Sequence, residues 1–262
     1  MKLHRIYAII LRVYYITLRN PDRAVEVLYF PILDLVLWGI TSQYFTSLVP
    51  GGATYLVMIL SGIVFWVIIN RVQAEIPLNI LEDLWNKNLI NMFISPLSFP
   101  EWITGFIIWG ILKSIISVSL AAVLALILYN VNVFSRGLLF VPLIFLLGLT
   151  GLWVGILISA LIIRFGTRVQ SAAWTLGFLI APFSAVYYPV SILPIWARMI
   201  ARIVPSSYVF EQMRHIIAKN SLDYQVLLVS FILNILYIIL AVVLLRSAFK
   251  RRLNTGLLTL QS

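Results

Sequence analysis

The side chains that could do chemistry are sparse in this sequence. Its two histidines, His4 and His215, stand far apart, and neither has metal-ligand spacing to a partner. There is no cysteine, which excludes a disulfide scaffold, a thiolate metal site and a cysteine nucleophile. No GxxxxGK[ST] loop occurs, so the chain has no P-loop with which to cradle nucleotide phosphates. The serines suggest no Ser/His/Asp set, and those in apolar runs suit helix packing. Two ionisable residues do fall inside long apolar runs, Asp34 and Lys113. A third feature is "EDLWNKNLINMFISPLSFPEWITG", residues 82–105, a polar interruption between two such runs. An acid and an amine at similar depth in an apolar medium can pair or relay a proton, so intramembrane charge points first to function.

The elements that must position these residues follow from composition. Of the 262 residues, 62% are hydrophobic and only 11% are charged, and the mean hydropathy is +1.03. Soluble domains are about half apolar with roughly a quarter of residues charged. The solvent for this chain is therefore lipid, whose hydrocarbon core takes about 20 apolar residues of helix to cross. We read one all-α integral membrane domain over 1–262, without internal repeats or a separate soluble domain. Six spans are expected, at about 27–47, 54–74, 105–129, 138–163, 171–187 and 225–246, with a short outer turn containing Pro50, Gly51 and Gly52. Residues 1–24 carry cations interleaved with apolar residues and no small-residue cleavage site. We expect an amphipathic helix on the membrane surface there, rather than a signal peptide.

Charge sets the orientation. Lys2, Arg5, Arg12, Arg19 and Arg23 cluster before the first span, Arg164 and Arg168 follow the fourth, and Arg246, Lys250, Arg251 and Arg252 follow the sixth. The positive-inside rule puts both termini and 76–104 in the cytoplasm, at the prokaryotic plasma membrane. The net charge of +10 is thus assigned to membrane orientation rather than to nucleic acid. Residues 188–223 fall outside despite Arg198, Arg202, Arg214 and Lys219. Pro189, Pro194 and Pro205 cut that stretch into short pieces. They suggest a helical hairpin dipping into the outer leaflet, its second helix N-capped by Ser206 or Ser207. Phe30, Asp34, Trp38, Thr41 and Phe45 recur at helical spacing in the first span, and Trp174 and Phe178 in the fifth. Such stripes line a passage or pack against neighbouring helices. At about 1.5 Å per residue, Asp34 and Lys113 lie at similar depth, so either they pair, or Lys113 snorkels towards the headgroups while Asp34 finds a backbone or hydroxyl donor. Gly148, Gly151 and Gly155 in "GLTGLWVG" suit close helix contact.

Taken in order, three stretches resemble the permease subunit of type-2 ATP-binding-cassette exporters. They are "LRNPDRAVEVLYFPIL", then "NMFISPLSFPEWITG" with its Ser-Pro-Leu-Ser turn, then "YYPVSILPIWARMIARIVPSSYVFEQMR". The last is similar to the family's late signature of proline-bounded hairpin, Pro-x-x-Tyr (Pro205, Tyr208) and Glu-x-x-Arg (Glu211, Arg214). The chain departs from many members in having "EDLWNKNL" where they carry a Gly-Thr or Gly-Ser dipeptide, so the subfamily and substrate stay open. The resemblance implies two copies of such a permease, or this chain with a paralogue, and two separate ATPase subunits that bind the ATP and Mg. The passage between the permeases would carry an amphiphile such as a lipid-linked glycan, a lipid or a hydrophobic drug.

On this reading the polar interruption is the handle that the ATPase moves. The pattern predicts one amphipathic helix over 79–93, with Leu81, Leu84, Trp85, Leu89, Met92 and Phe93 on its apolar side and Glu82, Asp83, Asn86, Lys87 and Asn91 elsewhere. Such a helix can grip a partner or lie on the bilayer. Competing functions are an ion-coupled secondary transporter using Asp34 and Lys113, a membrane scaffold, or a membrane-embedded enzyme. The lack of a clustered polar site argues against the enzyme. Single cysteines placed in this cysteine-free chain test the topology: a thiol at position 87 should react only with reagents reaching it from the cytoplasm, and labelling from outside intact cells overturns the six-span arrangement.

Overall fold

The structure, a computed structural model, describes residues 1–47 and 52–255; Pro50 and Gly51 of the expected outer turn lie outside them. No strand occurs among the described residues. Helix α1 runs Leu3–Arg19, α2 Pro21–Ser47, α3 Gly52–Trp85, α4 Leu89–Ile94 and α5 Phe99–Tyr129. They are followed by α6 Val141–Phe165, α7 Ala172–Ile180, α8 Ile195–Ala201, α9 Pro205–Lys219 and α10 Tyr224–Thr255. Among the described residues, four helical stretches are long and apolar enough to cross a membrane: Thr54–Trp85, Phe99–Tyr129, Gly137–Val169 and Tyr224–Arg252. They coincide with the second, third, fourth and sixth expected spans. The first expected span lies within α2, a 27-residue helix containing Pro31.

The fifth expected span is not one helix. α7 has nine residues and gives way to a 3₁₀ turn at Ala181–Phe183. Pro182 lacks an amide hydrogen and cannot continue the α-helical ladder. The chain nevertheless advances along α3 through this stretch. Gly177 sits against the Gln73 side chain, and the Val186 carbonyl sits against Gly62.

α3 and α6 form the centre of the bundle. In each, 67% of the most apolar window is buried, against 33% in α5 and 22% in α10. Their contact depends on two of the three glycines in "GLTGLWVG". A Cβ on Gly151 would come within 2.8 Å of the Ile69 carbonyl oxygen, and one on Gly155 within 2.7 Å of the Gln73 carbonyl oxygen. Gln73 stands four residues before Pro77, which lies inside α3, so its carbonyl has no i+4 amide to accept from. The backbone of α6 fits against that point. Gly148, by contrast, has nothing near its would-be Cβ. On the far side of α6, Thr150 Oγ1 donates to Asn234 Oδ1 at 3.0 Å and Asn234 Nδ2 donates to the Leu146 carbonyl at 3.3 Å, tying α6 to α10.

One end of the bundle collects α1, the C-terminal end of α3, the start of α5 and the last turns of α6 and α10. Phe99 stacks on Phe249 at 3.9 Å between centroids, and Arg252 Nε donates to the Ile163 carbonyl at 3.1 Å. We call this the basic end, because most of the clustered cations lie there. α1 packs along α5 through Ile6, Ile9, Val13 and Thr17, its buried face at helical spacing, with Ile9 on Gly105. The glycine contacts yield a contrast. Gly155→Ala should destabilise the purified protein by about 1–3 kcal/mol, the usual cost of overpacking, whereas Gly148→Ala should leave its melting temperature in detergent unchanged.

Candidate functional site

α3 is 34 residues long, about 51 Å at 1.5 Å per residue, and a hydrocarbon core is only about 30 Å thick. Its C-terminal turns continue beyond the apolar region at the basic end. They carry Glu75, Asn79, Glu82 and Asp83, of which Glu75, Asn79 and Asp83 are buried. A buried carboxylate requires a compensating cation or donors, and three other helices supply them. From α5, Lys113 Nζ donates to Glu75 Oε1 at 2.6 Å, with both side chains almost fully enclosed. Asn79 Nδ2 donates to Glu75 Oε2 at 3.2 Å. From α2, Arg23 pairs with Glu82 at 2.6 Å, and its other guanidinium nitrogen donates to Asn79 Oδ1 at 3.0 Å. From α1, Arg12 makes a two-pronged ion pair with Asp83, one prong at 3.2 Å and the other shorter. Trp102 Nε1 on α5 donates to Asp83 Oδ2 at 3.1 Å.

The interruption at 82–105 is built around this cluster, and the expected single helix over 79–93 is corrected. α3 ends at Trp85 because Lys87 adopts a left-handed conformation, φ 53°. The Asn88 amide then donates to the Asp83 carbonyl at 2.9 Å and the Lys87 amide to the Leu84 carbonyl at 3.1 Å. That is the Schellman pattern of a helix C-terminus, usually made with glycine. After α4, the Ser-Pro-Leu-Ser turn leads into α5, with Glu101 accepting from the Ser98 amide at 2.9 Å through Oε2. Its other oxygen accepts from the Lys2 amide at 2.7 Å, and Arg5 stands 3.5 Å away. Glu101 thus caps α5 and anchors the start of α1.

The apolar side of the segment divides. Leu81, Leu84, Leu89 and Met92 are buried in the chain's own core with Val13, Trp102, Ile103 and Phe106. Trp85 alone of the five expected coupling residues is exposed, at 53%; the Phe93 side chain lies outside the described residues. Asp83, expected on the polar side, is fully buried. Trp85 also lines a cleft of about 420 Å³ with Asn20, Asp22, Arg23, Tyr29 and Phe30 among its walls. Two residues assigned to different roles in the sequence, Phe30 and Trp85, therefore share one surface.

Of the two readings of Asp34 and Lys113, the pair does not form. Lys113 is held by Glu75, and Asp34 lies within the electrostatic reach of Arg71 and Tyr187 instead. Similar depth was not enough, because the two residues face different neighbours. Trp38 stacks on Tyr187 with centroids 4.5 Å apart, Thr41 is partly buried, and Phe45 and Phe178 are exposed. Trp174 falls in α7, and its side chain lies outside the described residues.

At the opposite end, the two expected short helices are α8 and α9. Pro189 precedes a 3₁₀ turn, Pro194 is the N-cap of α8, and Pro205 opens α9. Val204, not Ser206 or Ser207, is the N-cap of α9. Ser206 Oγ donates to Ser184 Oγ at 2.8 Å, and Ser207 Oγ to the Ala201 carbonyl at 2.6 Å. Glu211 Oε1 accepts from the Val190 amide at 2.6 Å. Arg214 donates to the carbonyls of Phe210 at 3.0 Å, Tyr188 at 2.6 Å and Ala185. Tyr208 Oη donates to the Arg202 carbonyl at 2.7 Å. These residues fasten α9 and its start to the stretch that leads into it, while α9 itself packs on α10, α3 and α6.

The acids at 75, 82 and 83 and the cations at 12, 23 and 113 escaped sequence reading as partners, although the helical spacing of 75, 79 and 82–83 carries α3 through Pro77. The Glu75–Lys113 tie is testable. Lys113→Met alone should cost about 3–5 kcal/mol of stability, since it strands a buried carboxylate, whereas the double change Glu75→Met, Lys113→Met should recover much of that loss. Asp34→Asn should give no such rescue of Lys113→Met in the same detergent melting assay.

No curated protein matches the chain. The family model described as ABC-2 type transporter matches residues 6–218. That range takes in α1, the cluster on α3, the 82–105 segment and the short helices α8 and α9, and this integral membrane chain belongs to the ABC-2 type transporter family.

Proposed function

We propose that the chain is the permease of an ATP-driven exporter and that 76–104 is its coupling segment. The observation that carries this reading is the continuity of α3. One helix runs from the centre of the bundle to an exposed tryptophan, and cations from α1, α2 and α5 brace its end against those helices. A push on Trp85 is thereby delivered to the spans. Family membership implies an ATPase partner. In our reading two copies of that ATPase bind ATP and Mg, and two permeases, identical or paralogous, enclose the pathway. The basic end is cytoplasmic at the plasma membrane, with α1 on its surface. α2 and the broken segment 172–186 complete six crossings, and α8–α9 dips into the outer leaflet. The substrate is an amphiphile: a lipid-linked glycan, a lipid or a hydrophobic drug. The exposed aromatic residues Phe30 and Phe178, with Asp34, Trp38 and Trp174, serve its path. The ion-coupled alternative loses its premise, since Lys113 is committed to Glu75 rather than Asp34.

The experiment pairs two neighbouring residues. Trp85→Ala should leave membrane insertion and melting temperature intact but weaken ATPase binding by about 2 kcal/mol or more, as for an interface hot spot, and abolish ATP-driven transport. Asp83→Ala should instead lower the melting temperature, because it strands Arg12 beside Trp102. The purified chain alone should hydrolyse no ATP. Full transport and ATPase retention by Trp85→Ala would sink the coupling assignment; substrate accumulation on a proton gradient without any ATPase would favour the ion-coupled alternative.

A further inference from the structure

The arginines at the head of the chain follow a rule with one exception. Arg5 faces Glu101, Arg12 faces Asp83 and Arg23 faces Glu82. Arg19 is exposed, and among the described residues it makes no hydrogen bond or ion pair. It is seven residues beyond Arg12 on α1, two turns along the same stripe, with Tyr15 between them. These three line a cleft of about 610 Å³ at the α1–α2 elbow, completed by Ile16, Asn20, Pro21 and Glu82. Glu82 is already neutralised by Arg23, and Arg12 is held in place from behind by Asp83. The cleft therefore presents one immobilised guanidinium, one uncommitted guanidinium and the Tyr15 side chain, and the exposed Leu18 is the chain neighbour of Arg19.

We propose that this elbow holds the phosphate of an anionic phospholipid headgroup, with Arg19 as the principal ligand and Arg12 and Tyr15 beside it. Guanidinium matches phosphate geometry with paired donors. The lipid's chains would run past the exposed side chains of Tyr15 and Leu18, on the side of α1 turned away from α5. A retained lipid is chosen over free phosphate because apolar side chains border the cleft. The site rests on α1 lying at the cytoplasmic bilayer surface, as proposed above, and not on what the chain transports. Its occupant would sit against Arg12 and Glu82, two of the groups that brace the end of α3, and so would support that brace from the membrane side.

The test uses the full chain in detergent, with phosphatidylglycerol and phosphatidylcholine offered in turn and retained lipids counted by native mass spectrometry. One phosphatidylglycerol should be held preferentially. Arg19→Gln should weaken that retention by roughly fivefold, the contribution expected of one cation at an anionic surface, without lowering the melting temperature. Arg19→Lys should keep part of it. Lys250→Gln removes one exposed charge elsewhere on the basic end and should leave retention within about twofold, below the single-cation effect. Equal losses in Arg19→Gln and Lys250→Gln would reduce the effect to general surface charge and overturn the site. Displacement of the lipid by inorganic phosphate or glycerol phosphate at comparable concentration would overturn the lipid assignment. A fluorophore on Leu18→Cys, quenched by brominated lipid in vesicles, reads the placement of α1 separately. Quenching with unchanged retention in Arg19→Gln removes the site but leaves the surface helix standing; absence of quenching removes both.

Discussion

Carboxylates enclosed among apolar helices must be matched by cations, and the basic end of this protein is organised by that requirement. Glu75, Glu82, Asp83 and Glu101 each meet a cation from another helix. Removing either partner of a buried pair is costly even though the pair itself contributes little net stability. What such pairs secure is geometry. Three of the pairs define where α1, α2 and α5 stand relative to the end of α3, and Glu101 with Arg5 sets α1 on α5, positions that apolar contacts between smooth helix faces would leave free to slide or rotate.

That geometry gives α3 a mechanical character. Its centre is locked to α6 by backbone-close contacts at Gly151 and Gly155, and its end is locked by charge. Between these points Pro77 leaves the Gln73 carbonyl without its helical partner, yet the helix continues. A rigid element fastened at both points carries displacement along its axis instead of absorbing it. The segment from Lys87 to Ser98 supports the same end: a Schellman turn stops α3, and Glu101 joins α5 to the first residues of α1.

The opposite end is fastened by different means. There, side chains mostly satisfy backbone carbonyls and amides left open by short, proline-broken helices. Arg214 serves the Ala185 and Tyr188 carbonyls, Glu211 the Val190 amide and Ser207 the Ala201 carbonyl. Irregular backbone in a membrane protein is tolerated where protein groups replace the missing water, and this stretch brings its own.

The sequence by itself determined the class of this protein, its helical content and its four long apolar helices, because about 20 consecutive apolar residues per hydrocarbon thickness is a local property. It also determined the prolines that bound α8 and α9, since a missing amide acts where it stands. Tertiary structure decided which charges meet. Arg12 and Asp83 are 71 positions apart and Lys113 and Glu75 are 38 apart, and matching depth left Asp34 an equally good sequence candidate for Lys113. It also decided which apolar residues stay free. Leu81, Leu84 and Trp85 share one helical pattern, yet α1 and α5 cover the leucines and leave the tryptophan exposed. The break at Lys87 had no glycine to announce it. Periodicity records that a face is apolar, but only the arrival of neighbouring helices settles whether that face becomes core or remains a surface.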